Sequence, residues 1–134
     1  MTPSLEEAQR FLSLAKADLA AFRVLVENPE IRRAIAFFHA QQAVEKCLKA
    51  VLFAHDVEFR RTHDLLELAG NISAAGISLP CDAGSLLKLN PFAVELRYDD
   101  QVIPRLTTGE AILIVAQALT WADAKVAEII NASR

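Results

Sequence analysis

Four side chains recur along one line of a helical pattern: His39, Gln42, Lys46 and Lys49, at steps of three, four and three, with Glu45 beside them. A stripe so rich in donors is either a solvated rim or the wall of a site. A little further on, Arg60-Arg61-Thr62-His63-Asp64 brings two guanidinium groups and an imidazole up to the start of a new helix. If Lys46, Arg60, Arg61 and His63 line one cleft, the chemistry is anion binding, with a phosphate held by cations and by the free N–H groups of a helix N-terminus. The plainer alternative has Thr62, His63 and Asp64 capping that helix, and Glu45 and Lys49 forming an exposed i,i+4 pair worth roughly 0.3 kcal/mol.

The helix that positions the stripe is the centre of the chain. Between Ile31 and His63, the residues Ala36, Ala40, Ala43, Val44, Cys47, Leu48, Ala50 and Val51 spread over well over a third of a helical circumference, which is too wide for a helix touching a single neighbour. It reads as the central helix of a bundle, stopping near His55, where Asp56 tolerates a left-handed backbone. Before it, Thr2-Pro3 opens a first helix to Glu27 with one apolar stripe: Leu12, Ala15, Leu19, Phe22 and Val26. Asn28-Pro29 repeats the cap-and-proline signal, so helices one and two are antiparallel neighbours joined by a short link.

A third helix begins at Thr62 or Asp64 and loses definition at Gly70 and Gly76. Asp82 caps a short fourth, and Asn90-Pro91 interrupts it, because proline lacks an N–H and disfavours helix in the residue before it. Thr107-x-x-Glu110 is a capping box that opens the last helix. The expected architecture is all-α: an antiparallel up-and-down bundle of four long helices plus a shorter one, as a single domain over 1–134.

With 53% apolar side chains, 134 residues can bury a sizeable core, and only 4 Gly with 5 Pro argue against a disordered or all-β chain. A formal charge of −3 supplies no overall field to draw nucleic acid or anionic lipid, so long nucleic acid and membrane are not expected partners. Cys47 on an apolar helix face and Cys81 in a connection read as reduced thiols of a cytoplasmic protein. The three histidines do not fall at metal-ligand spacings, and no metal or cofactor is expected. Met1-Thr-Pro-Ser-Leu-Glu-Glu lacks the basic and apolar regions of a signal peptide, and no apolar run approaches a membrane span.

The run FFHAQQAVEKCLKAVLFAHDVEFRRTHDLLEL resembles the core of the HEPN domain (higher eukaryotes and prokaryotes nucleotide-binding). The matching features are an aromatic residue, Ala-Gln-Gln-Ala-x-Glu-Lys-x-Leu-Lys-Ala, and Phe-x-x-Thr-His-Asp-Leu before the next helix. Asp56 stands where many members have Gly. The resemblance implies a helical bundle of HEPN type, a homodimer, and nucleotide binding as a candidate role.

Ribonuclease members of the superfamily carry Arg, four to six residues, then His, set across the dimer interface, with His as base on the RNA 2′-hydroxyl and Arg stabilising the phosphorane. Arg97 matches the Arg. From Asp99 to Pro104 no His follows, and Asp99-Asp100 would repel a phosphate. Arg32 and His39 also have six residues between them, but they fall on the central helix, roughly 10 Å apart along its axis. Trp121 and Tyr98 read as packing or interface residues.

By this resemblance the chain is a non-catalytic binding module that holds a nucleotide, or partners a separately encoded minimal nucleotidyltransferase in a toxin–antitoxin-like pair. Its site residues are then Lys46, Arg60, Arg61 and His63, with Arg97 and Tyr98 at the dimer interface. Two alternatives stand beside it: a metal-independent endoribonuclease using Arg97, and a purely structural interaction domain.

Overall fold

The computed structural model describes residues 1–93 and 106–133. Within them the protein is all-helical, with α1 Pro3–Val26, α2 Arg33–Ala54, α3 Leu65–Ala74, α4 Ala83–Leu89 and α5 Thr108–Ala132. A 3-10 turn, Asn90–Ala93, follows α4 at the expected Asn-Pro interruption. Three of these helices are long. The third, expected among the long ones, has 10 residues, because Gly76 at φ +79° turns the chain in a left-handed conformation just past its end.

The caps explain most of the boundaries. Thr2 Oγ1 accepts from the Leu5 N–H at 3.2 Å with Pro3 in the first turn, and Asp82 accepts from the Ser85 N–H at 2.8 Å. Thr107 and Glu110 make both bonds of the capping box, at 3.0 and 3.3 Å. Asp56 is left-handed at φ 56°, and α2 ends at that step. The Asn28-Pro29 signal has a different result. Asn28 Oδ1 accepts from the Glu30 N–H at 3.0 Å and closes a turn, so α2 starts four residues later, at Arg33.

The centre of the chain is also the centre of the fold. Along α2, Ala36, Phe37, Ala40, Ala43, Val44, Cys47, Leu48, Ala50, Val51 and Leu52 are fully buried. Small side chains let the neighbouring helices approach closely, and the aromatic rings fill the ends. Phe22 of α1 meets Phe37 edge-on at 5.3 Å between centroids, and Phe37 meets Phe92 of the 3-10 turn at 5.2 Å. Because Phe22 pairs with Phe37 and Phe11 with Phe53, α1 and α2 run antiparallel. On the far side α2 packs against α5. The Trp121 indole N–H donates to the Ser78 carbonyl at 2.8 Å and ties the connection after α3 to α5, a packing role. Both cysteines are free, and burial pushes each thiol above its ordinary range, Cys81 up to about 11. No helix among the described residues is long and apolar enough to cross a membrane.

Candidate functional site

The polar stripe of α2 is not a solvated rim. Gln41, Glu45 and Lys49 are buried, with Glu45 at 3% exposure and Lys49 at 9%. A carboxylate and an ammonium at that depth persist only as partners. Lys49 Nζ donates to Glu45 Oε2 at 3.0 Å, so the pair read from sequence as an exposed i,i+4 contact is a buried ion pair. The Gln41 amide donates to Glu45 Oε1 at 3.2 Å and to the His63 carbonyl at 3.0 Å. His63 Nδ1 completes the group, 3.0 and 3.1 Å from the two oxygens of Glu45.

A second carboxylate gathers the other half of the stripe. Asp18 of α1, with a side chain 12% exposed, holds His39 Nδ1 at 2.9 Å on one oxygen and Lys46 Nζ at 2.5 Å on the other. The stripe therefore faces α1 and the connection after α2. Of the four residues expected to surround an anion, Lys46 is committed to Asp18, and Arg60 to Glu67 through two bonds of 3.1 and 2.5 Å. His63 is committed to Glu45 through Nδ1. Arg61 has no hydrogen bond or ion pair among the described residues.

Nor is the N-terminus of α3 open to a phosphate. Asp64 Oδ1 accepts from the Leu66 N–H at 2.9 Å, and the Asn90 side chain reaches back across 25 residues to accept from the Leu65 N–H at 2.9 Å. Asn90 Nδ2 also donates to Asp64 at 3.0 Å. These contacts favour the capping reading of Thr62-His63-Asp64.

A cleft of about 610 Å³ opens where Arg61 points, between the start of α1, the end of α2 and the segment 56–61. Phe11, Phe53 and Phe59 form an aromatic run along it, with successive centroids 5.2 Å apart. Arg10, Lys49 and Arg61 supply its cations; Glu7, Asp56 and Glu58 supply its acids. Arg10 is held by Glu7 and lies 5.1 Å over the Phe11 ring, and Asp56 accepts from the Ser4 hydroxyl at 3.1 Å. The hydrogen bond from Arg10 holds the Glu7 carboxyl below its ordinary range. With three cations against three acids, the lining carries no net charge to draw a long polyanion, and its volume is that of a small-molecule pocket.

Arg97 and Tyr98, expected at the dimer interface, lie outside the described residues. The Arg32–His39 pairing finds no support, since His39 Nδ1 is occupied by Asp18. Among the described residues no group of three His, Cys, Asp or Glu side chains could hold a metal ion. Sequence reasoning did not find Asp18, Arg10, Phe11 or Phe53, and saw Gln41 and Phe59 only as members of the family pattern. Asp18 and Arg10 lie on α1 and reach the site only through the antiparallel pairing.

Taken together, the fold and the site define an all-α module with a buried polar network beside an aromatic and cationic cleft. The chain belongs to the HEPN domain family, whose model matches residues 8–125. No curated protein and no solved structure matches it.

Proposed function

We propose that this protein is a non-catalytic HEPN module that binds a mononucleotide in the cleft between α1, α2 and segment 56–61. Membership in the HEPN family makes it a nucleotide- or RNA-related module. The observation that carries the finer reading is Arg61, a guanidinium without a described partner at the rim of a cleft walled by Phe11, Phe53 and Phe59. A base stacks on aromatic rings regardless of its identity, and a guanidinium pairs with phosphate oxygens two at a time. Lys49 also lines the cleft, with its ammonium paired to Glu45. The missing His after Arg97 favours binding over RNA cleavage.

A separately encoded minimal nucleotidyltransferase as partner, homodimerisation and cytoplasmic residence belong to the same proposal. Co-purification with the product of a neighbouring nucleotidyltransferase gene tests the first, and sedimentation of the purified chain tests the second.

For the cleft itself, calorimetric titration with nucleoside mono-, di- and triphosphates is the direct experiment. Saturable binding weakened at least about tenfold by Arg61→Ala, a loss of ~1.4 kcal/mol, is the expected result. Absence of binding at any nucleotide overturns the reading and leaves an interaction domain.

A further inference from the structure

Glu58 and Arg61 carry opposite charges into the same cleft, yet among the described residues they bind neither each other nor any other group. Both side chains are exposed. Every other charged group of the lining is engaged. Glu7 takes two bonds from Arg10, at 2.5 and 3.2 Å, Lys49 is paired with Glu45, and Asp56 accepts from the Ser4 hydroxyl. The cleft therefore offers a ligand one open guanidinium, which only donates, and one open carboxylate, which only accepts.

Phe59 stands next to Glu58 in the chain. It is half-buried, and its ring meets that of Phe53 edge-on, at 5.2 Å and 73°, so part of its surface stays open to the cleft. A base stacked on an aromatic ring keeps its edge free for the side chains around that ring. A carboxylate in that position discriminates among bases. Guanine presents N1–H and the N2 amino group side by side, two donors that match the two oxygens of one carboxylate. Adenine and cytosine set their amino group beside a ring nitrogen lone pair, and uracil flanks its N3–H with two carbonyl oxygens, so each turns a lone pair toward the carboxylate. Charge limits the other end of the ligand. Arg61 matches one phosphate as a two-pronged donor, and further phosphates would add negative charge near Glu7, Asp56 and Glu58 with no open cation in the lining to meet it.

We infer that the ligand of this cleft is a guanosine monophosphate, with Glu58 accepting from the N1–H and the N2 amino group of guanine and Arg61 holding the phosphate. The inference rests on the cleft being the nucleotide site. It adds the base and the number of phosphates, and both can fail while nucleotide binding stands.

The test is calorimetric titration of the full chain, at one ionic strength, with the 5′-monophosphates of guanosine, inosine, adenosine, cytidine and uridine, and with guanosine triphosphate. Guanosine monophosphate should bind at least about tenfold more tightly than the adenosine compound, with inosine, which keeps N1–H but lacks the amino group, between them. Glu58→Ala should bring guanosine monophosphate down to the adenosine level, and Arg61→Ala should weaken both compounds alike. The triphosphate should bind no more tightly than the monophosphate. Both substitutions fall at exposed positions, and a thermal melt checks that each variant is folded. Equal affinity for the guanine and adenine compounds, a guanine preference that survives Glu58→Ala, equal losses for both bases in Glu58→Ala, or a triphosphate about tenfold tighter than the monophosphate overturns the inference and leaves nucleotide binding in place. No heat with any nucleotide overturns both readings.

Discussion

Lys46 and Lys49 lie three positions apart on one stripe, yet they have different partners and different depths, and these set losses of different size for substitution. Lys49→Ala leaves Glu45 buried without its ammonium, and breaking such a pair costs about 3 kcal/mol. Lys46 is more exposed, and Asp18 keeps His39 as a second donor, so Lys46→Ala costs about 1 kcal/mol. Urea unfolding of the two variants checks the order; equal losses would mean that the Glu45 network is not the deeper of the two. The stripe itself was legible from helical spacing. Its burial was not, because nothing in the spacing of His39, Gln42, Lys46 and Lys49 tells a solvated face from one covered by α1 and by the connection that returns after α2. His55 adds a dependence on pH. Burial, and then the positive charge of Lys125 against the opposing Glu128, holds its pKa below the ordinary 6.5, and its Nε2 is buried without a partner among the described residues. The folded state thus favours neutral His55. That contribution is complete above pH 6.5 and is lost as pH falls through 6.5 toward the lower folded value, because the unfolded chain binds the proton more readily. Thermal unfolding of the wild type should show stability falling below that pH, with a flatter profile in His55→Leu.

At the scale of elements, local chemistry sets the boundaries and long-range contacts close them. Thr2, Asp82 and the Thr107/Glu110 box were legible because a cap and its helix are adjacent in sequence. The cap on α3 was only half legible. Asp64 is local, but Asn90 arrives from beyond α4 to accept from the Leu65 N–H and to bind Asp64. Asn90→Ala removes the acceptor of a partly buried N–H and should cost about 1 to 2 kcal/mol, more than Thr107→Ala at about 1 kcal/mol, since Thr107 caps an exposed helix start. Chemical denaturation of both variants compares them; an Asn90→Ala variant as stable as wild type would show that the contact contributes nothing. Asn28-Pro29 marks the limit of such signals. Asn28 caps a turn there, and the chain needs four more residues before α2 can begin against α1.

For the molecule as a whole, the all-α class and the HEPN family followed from α2 and the segment after it, where a pattern of about thirty positions carries both packing and site. The cleft was not legible, because its walls come from residues 4–11, 49–53 and 56–61 and meet only when α1 folds back antiparallel on α2. Arg61 was found through its place beside the helix start, while Phe11 and Phe53 carried no signal that set them apart from other apolar residues of their helices. The central claim is that the ligand occupies this cleft and not the space between α2 and α3. The most direct test is calorimetric titration of one nucleotide panel into wild type, Arg61→Ala and Lys46→Ala. The cleft predicts saturable binding in the wild type, a loss of at least about tenfold in Arg61→Ala, and unchanged affinity in Lys46→Ala. Binding abolished by Lys46→Ala and retained in Arg61→Ala would contradict it.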